Sequence, residues 1–300
     1  MSNTKNMKDP IIVLGPGRCG STLIQRILNT SENITIWGEH EGFLAKLAES
    51  YYVLTESEGM KNNFYSQSID PSILIGSLSD YQACPNWVNS FNKNIIRHTY
   101  RTMISELLNN QLDIEKNSWG FKEIRYTQHD SMLNMWLELF PSSYLIFSVR
   151  NPFHVISSMI LDWNNPKIIQ QLIDKKNYVQ LKQIIIRYAT RWNKVVASFP
   201  YWIEEKKVTC YIERYEDLIT DPNHAVMQMF DFLRLPIPET ALNPMSVRVG
   251  SKKLPYKSEI RKIIYSMRED IWQIVGSSAE YFDYDLYSAN SLNPKLHKVS

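Results

Sequence analysis

Apolar positions along the chain follow two periods, and chemistry-bearing residues gather where one period gives way to the other. Ile11-Ile12-Val13-Leu14 is a continuous apolar run that breaks at Gly15; beyond it Leu23, Ile24, Ile27 and Leu28 recur at helical spacing until Asn29-Thr30-Ser31. The pattern predicts strand, loop, helix. Ile34-Thr35-Ile36-Trp37 is short and β-branched, a second strand ending at Gly38-Glu39-His40-Glu41. Tyr144-Leu145-Ile146-Phe147-Ser148-Val149 is nearly all apolar, as a strand buried on both faces requires, and it stops at Arg150-Asn151-Pro152. The proline starts a helix carrying Val155, Ile156, Met159 and Ile160.

The rest of the chain fills in around these units. Helices are predicted over 43–60, from Trp87 to Leu112, from His129 to Phe140, from Tyr178 to about Ser198, from Asn223 to Leu233 and from Glu259 to Val275. Trp119 to Glu123 reads as a brief strand and Val208 to Ile212 as the last one. Residues 61–85 have no dominant period and read as an irregular insertion, and 236–258 as a loop bearing proline and lysine. Strands alternating with helices predict an α/β fold, a central, mostly parallel sheet with helices on both faces, and the glycine-rich loop after the first strand makes it the P-loop nucleotide-binding type. The expectation is one domain over 1–300, with 1–10 a flexible N-terminus and 286–300 a tail. In such a sheet ligands bind beyond the carboxyl ends of the strands, where the Gly15 loop, the Glu39 turn and Arg150 all fall.

Composition narrows the function classes rather than the fold. With 33 Lys+Arg against 31 Asp+Glu the net charge is +2, too weak a field to argue for nucleic acid or an anionic membrane, so any anion site must be local. Cys19, Cys84 and Cys210 are odd in number and widely spaced, which fits neither a disulfide framework nor a zinc site. No metal is expected. Residues 1–10 are polar and no apolar run approaches the ~18 residues that span a bilayer, so the expected location is cytoplasmic, without a membrane partner.

The loop Gly15-Pro16-Gly17-Arg18-Cys19-Gly20-Ser21-Thr22 has the glycine content to turn tightly and the N-terminus of a helix to follow, a cradle for phosphate. Against the pattern G-x-x-x-x-G-K-[ST], Gly15, Gly20 and Thr22 are in register, but Ser21 replaces the lysine that would pair with nucleotide β/γ-phosphates. Arg18 is the only charge in the loop. A P-loop kinase would also want an acidic, Mg²⁺-holding residue at the end of a neighbouring strand, and Arg150 stands at the end of this one.

Gly17-Arg18-Cys19-Gly20-Ser21-Thr22-Leu23 resembles the 5′-phosphosulfate loop of P-loop sulfotransferases, P-R-S-G-T-T-L, with Gly17 for proline and Cys19 for serine. Arg150-Asn151-Pro152 followed by Ser158 is similar to that family's 3′-phosphate motif, and a strand-terminal guanidinium and a helix hydroxyl can converge on one phosphate. Glu213-Arg214-Tyr215-Glu216-Asp217-Leu218 resembles its R-Y-E-D-L run, with Tyr215 near the adenine. The resemblance implies 3′-phosphoadenosine 5′-phosphosulfate as donor, adenosine 3′,5′-bisphosphate as product, and a hydroxyl-bearing small molecule, carbohydrate or peptide as acceptor. It implies donor-binding roles for Gly17, Arg18, Cys19, Gly20, Ser21, Thr22, Arg150, Ser158 and Tyr215, and for Ser251 and Lys252 in a late basic loop. Lys122 and Arg18 would stabilise the transferring group. Glu39 is the first choice as base; a shift of one residue would make it His40, oriented by Glu39. Trp163, Trp192 and Tyr201 are candidates to shape the acceptor site. The alternatives are a divergent P-loop kinase and a catalytically silent nucleotide-binding module.

Overall fold

A computed structural model describes residues 10–62, 93–109, 118–247 and 255–292. The predicted insertion beyond residue 62, both ends of the predicted 87–112 helix, and Ser251 and Lys252 lie outside the described residues. Five strands form one sheet: β1 (Ile11–Leu14), β2 (Ile34–Trp37), β3 (Ser118–Glu123), β4 (Tyr144–Val149) and β5 (Cys210–Arg214), in the order β2-β3-β1-β4-β5. Every pairing is parallel. Central β1 sets Ile11 opposite both Gly120 and Tyr144, and it is close to fully buried, as its unbroken apolar run requires.

The pleat divides the side chains between two helical layers. On one face Ile11, Val13, Ile34, Ile36 and Ile146 meet Ile24, Ile27 and Leu28 of α1 (Ser21–Leu28) and Ala225, Val226, Met229 and Phe230, which belong to a later helix, Pro222–Phe232. On the other, Phe147 stacks on Phe199 at 4.4 Å between ring centroids, with Trp202 beside it. The α/β fold with helices on both faces is therefore as predicted.

By its internal contacts the chain divides into two compact units. The first holds the sheet and comprises Met1–His40, Glu115–Gln128 and Ser143–Ser300. The second comprises Glu41–Ile114 and His129–Ser142. Among the described residues the second unit is helical: α2 (Phe43–Glu56), α3 (Glu58–Asn62), α4 (Lys93–Asn109) and α5 (Met132–Leu139). There α2, α4 and α5 pack on one another, with the Tyr51 ring edge-on to Tyr100 and Arg97 paired with Glu138.

In the first unit α6 (Pro152–Trp163), α7 (Pro166–Asp174), α8 (Tyr178–Val196), α9 (Tyr215–Thr220), α10 (Pro222–Phe232), α11 (Lys257–Ser266) and α12 (Arg268–Glu280) follow in order. Four expectations shift: the helix expected over 43–60 breaks at Ser57, which is extended (φ −67°, ψ 144°), and resumes as α3. The last strand starts two residues later than Val208, because its pairing with Leu145 to Val149 carries it through Glu213 and Arg214; the Tyr211 hydroxyl donating to Glu213 makes that buried carboxyl tolerable. The final helix is two helices, broken at buried Met267 (φ −102°, ψ 13°) with no glycine or proline to announce it. Residues expected in a tail form a 3₁₀ helix, Leu286–Leu292, whose Ser288 carbonyl accepts from Asn151 Nδ2. Among the described residues no helix is long and apolar enough to cross a membrane.

Candidate functional site

The phosphate-loop candidate leaves β1 against β4. A Cβ on Gly15 would meet the Ser148 carbonyl oxygen at 2.5 Å, and one on Gly17 would overlap the Trp163 indole, so both positions are closed to larger residues. Gly20 is left-handed (φ 99°) and sits against the Tyr215 ring; its carbonyl accepts from Leu23 and Ile24 and starts α1. Arg18 is also left-handed, at φ 68°. Cys19 turns inward: it is fully buried, its carbonyl accepts from Ser148 Oγ, and burial pushes its thiol pKa up. Of the six loop residues assigned to donor binding, Gly17, Arg18, Gly20, Ser21 and Thr22 line a cavity of about 1010 Å³, and Cys19 packs beneath it.

Arg150 closes the floor of this cavity. Its guanidinium lies over Tyr215, 4.1 Å from the ring centroid, one Nη donates to the Arg18 carbonyl at 3.1 Å, and the Trp192 indole donates to its own carbonyl. Its Nε is buried and makes no hydrogen bond. Asn151 caps α6 through the Phe153 and His154 amides, which sets Ser158 and Asp162 one turn apart on the cavity wall. Ser158 does not bond to Arg150; it accepts from Arg18 Nε at 3.0 Å and donates to Asp162.

The Glu39 turn reaches the end of β3. Lys122, only 4% exposed, is ion-paired with Glu39, and Arg125 bridges Glu39 (3.2 Å) and buried Glu123 (2.5 Å). Glu39 and Lys122 line the cavity. His40 is not among the lining residues: its ring packs on Phe121 and Tyr126 and its Nδ1 lies 3.6 Å from Glu123, while burial lowers its pKa against the pull of that carboxylate.

Eight cationic side chains line the cavity (Arg18, Arg26, Lys122, Arg125, Arg150, Arg191, Lys257, Arg261) against two acidic ones, Glu39 and Asp162. His154 adds no charge at neutral pH, since burial, then Arg150 and Arg261, lower its pKa to about 4. A protein with a net charge of only +2 carries a local cationic excess around this cavity.

The profile of the sulfotransferase family matches residues 10–239, from the start of β1 to beyond α10. The chain belongs to the sulfotransferase family. Among solved structures it is similar to the sulfotransferase domain of the Synechococcus PCC 7002 olefin synthase (18% identity, covering 95% of this chain and 99% of that one, TM-score 0.47). It is also similar to the sulfotransferase domain of the curacin biosynthetic pathway (16% identity, 98% and 99% covered, TM-score 0.47), and to a sulfotransferase from Alicyclobacillus acidocaldarius (13% identity, 94% and 99% covered, TM-score 0.46). No curated protein sequence matches.

In this sulfotransferase several cavity residues escaped the sequence reading. Asp162 lies four residues after Ser158 and Arg261 four after Lys257, a spacing that puts each pair on one helix face and could have flagged them. Arg125 follows a strand end without any motif. Of the aromatic candidates, Trp163 lines the cavity with Arg191 stacked on its ring at 4.8 Å, Trp192 is core, and Tyr201 is not among the lining residues.

Proposed function

We propose that the protein transfers a sulfuryl group from 3′-phosphoadenosine 5′-phosphosulfate to an acceptor hydroxyl by in-line displacement. The observation that carries this reading is the cavity itself: a phosphate-type loop, Arg150 over Tyr215, and the Glu39–Lys122 pair open onto one space with a large cationic excess. The residues fit an adenosine bisphosphate. Gly17, Gly20, Ser21 and Thr22 leave room for a 5′-phosphate at a helix N-terminus. The bonding capacity of the buried Arg150 Nε is unspent, which suits a second phosphate, and the Tyr215 ring beneath that guanidinium lines the same cavity, in keeping with the place beside the adenine that the resemblance gives it. Serine at 21 and arginine at 150 argue against a kinase.

The donor, when bound, supplies the sulfuryl group and a phosphate to leave with. Glu39 accepts the acceptor's hydroxyl proton as its oxygen bonds to sulfur and the bond from sulfur to the bridging oxygen breaks. Lys122 and Arg18 hold the negative charge on the sulfuryl oxygens and on the departing phosphate oxygen. Adenosine 3′,5′-bisphosphate should raise the melting temperature strongly and Mg-ATP weakly; equal stabilisation by Mg-ATP overturns the donor assignment. Arg150→Ala should weaken the bisphosphate much more than adenosine 5′-phosphate. A silent binding module would bind the donor yet label nothing in a broad acceptor screen.

A further inference from the structure

Arg18 and Ser158 are already occupied. Arg18 Nε donates to Ser158 Oγ at 3.0 Å, its Nη2 donates to Asp162 Oδ2 at 2.5 Å, and Ser158 Oγ donates to the same carboxylate oxygen at 3.2 Å. The three side chains close a ring of charge-assisted bonds on the wall of the cationic cavity. Asp162 is 17% exposed there and is one of only two acids among the lining residues. The other, Glu39, has its own partners in Lys122 and Arg125.

We infer that Asp162 is an internal counter-anion, held by Arg18 and Ser158 until a phosphate-bearing ligand takes them over, and that it sets how tightly such ligands are held. The identity of the ligand rests on the donor assignment above; the sign of the effect does not. A carboxylate oxygen and a phosphate oxygen make the same bonds to a guanidinium and a hydroxyl, so an incoming phosphate must replace both contacts. It then sits close to a displaced like charge, in a pocket that screens charge less well than water. The carboxylate also gives the product a way out, because it retakes Arg18 and Ser158 as the phosphate leaves.

Asp162→Asn tests the sign. The amide keeps the shape and an oxygen that can accept from Arg18 and Ser158, and it removes the charge. Calorimetric titration with adenosine 3′,5′-bisphosphate, and separately with inorganic pyrophosphate, should show both bound about tenfold more tightly than by wild type. Bisphosphate release should be slower, and the gain should shrink as salt is raised. Asp162→Glu should keep wild-type affinity within about threefold. A residue that merely braced the loop would give the opposite direction, and affinities that are unchanged or weaker in Asp162→Asn for both probes overturn the inference. Asp162→Ala makes the same charge change and serves if the amide variant does not fold. If only pyrophosphate tightens and the bisphosphate binds wild type no better than Mg-ATP, the donor assignment falls and the counter-anion stands. If the bisphosphate binds wild type well and the variant gains nothing, the counter-anion falls alone. Failure of both probes to bind either protein overturns both.

Discussion

Glu39 and His40 are neighbours in sequence with opposite surroundings, and the difference bears on which accepts a proton. Glu39 lines the cavity in an ion pair with Lys122, whereas His40 packs on Phe121 and Tyr126 beside Glu123. With an acceptor drawn from a screen with labelled donor, Glu39→Gln should cut turnover by on the order of 10²–10⁴ and leave bisphosphate affinity within a few-fold; His40→Ala should cost less. Near-normal turnover in Glu39→Gln with inactivity in His40→Ala would move the role to His40. A pH profile would separate them poorly. Burial lowers the His40 pKa, so even a histidine base here would not show the loss of activity at about pH 6.5 that an ordinary imidazole gives. The turn was visible in the sequence because Gly38 and three polar residues end a β-branched run. The choice within it was not, because alternation fails where the chain turns, and only the tertiary packing of Phe121 and Tyr126 draws His40 away from the cavity.

At the scale of elements, β1 and β3 approach so closely that a side chain at position 120 has nowhere to go. A Cβ on Gly120 would overlap the backbone carbonyl of Ile11, which cannot rotate aside as a side chain can. Gly120→Ala should destabilise by about 2 kcal/mol or more in denaturant titration, with weaker bisphosphate binding because β1 leads directly into the phosphate loop. Gly59→Ala is the control: a Cβ there meets nothing within 4 Å, and stability should hold or rise by up to about 1 kcal/mol. Equal losses in the two variants would contradict this account. Elements set by local periodicity, such as β1, β4 and α8, were legible from apolar spacing alone. Those set by a partner were not: β5 runs on through Glu213 and Arg214 because β4 is there to pair with, and Met267 interrupts a helical pattern that carries no breaker.

For the molecule as a whole, buried Glu213 and half-buried His154 pull the pH dependence of stability in opposite directions. Burial raises the Glu213 carboxyl to about 7, with nearby Asp217 adding to the rise and the Tyr211 hydrogen bond opposing it. Its contribution is full below its unfolded pKa near 4.5 and is lost as pH rises towards 7. His154, lowered from 6.5 to about 4, contributes fully above 6.5 and loses that contribution as pH falls towards 4. Between about pH 4.5 and 6.5 the two slopes, each up to about 1.4 kcal/mol per pH unit, offset one another. Thermal melts across that range should be nearly flat for wild type, rise with pH in Glu213→Gln and fall with pH in His154→Gln. Parallel profiles in all three proteins would rule the balance out.

The strand order also has a consequence for how the chain is made. Ile11 pairs with Gly120 on one side and Tyr144 on the other, so β1 must wait for two neighbours that both follow it in the chain. Until Tyr144 has left the ribosome, an apolar tetrapeptide and the loop behind it have no complete sheet to join. Contacts this distant in sequence are slow to form, since the loops that close them carry a large entropic cost. The anion cradle therefore depends on strands that come well after it in the chain, and a chain truncated before β4 would carry its sequence without its geometry.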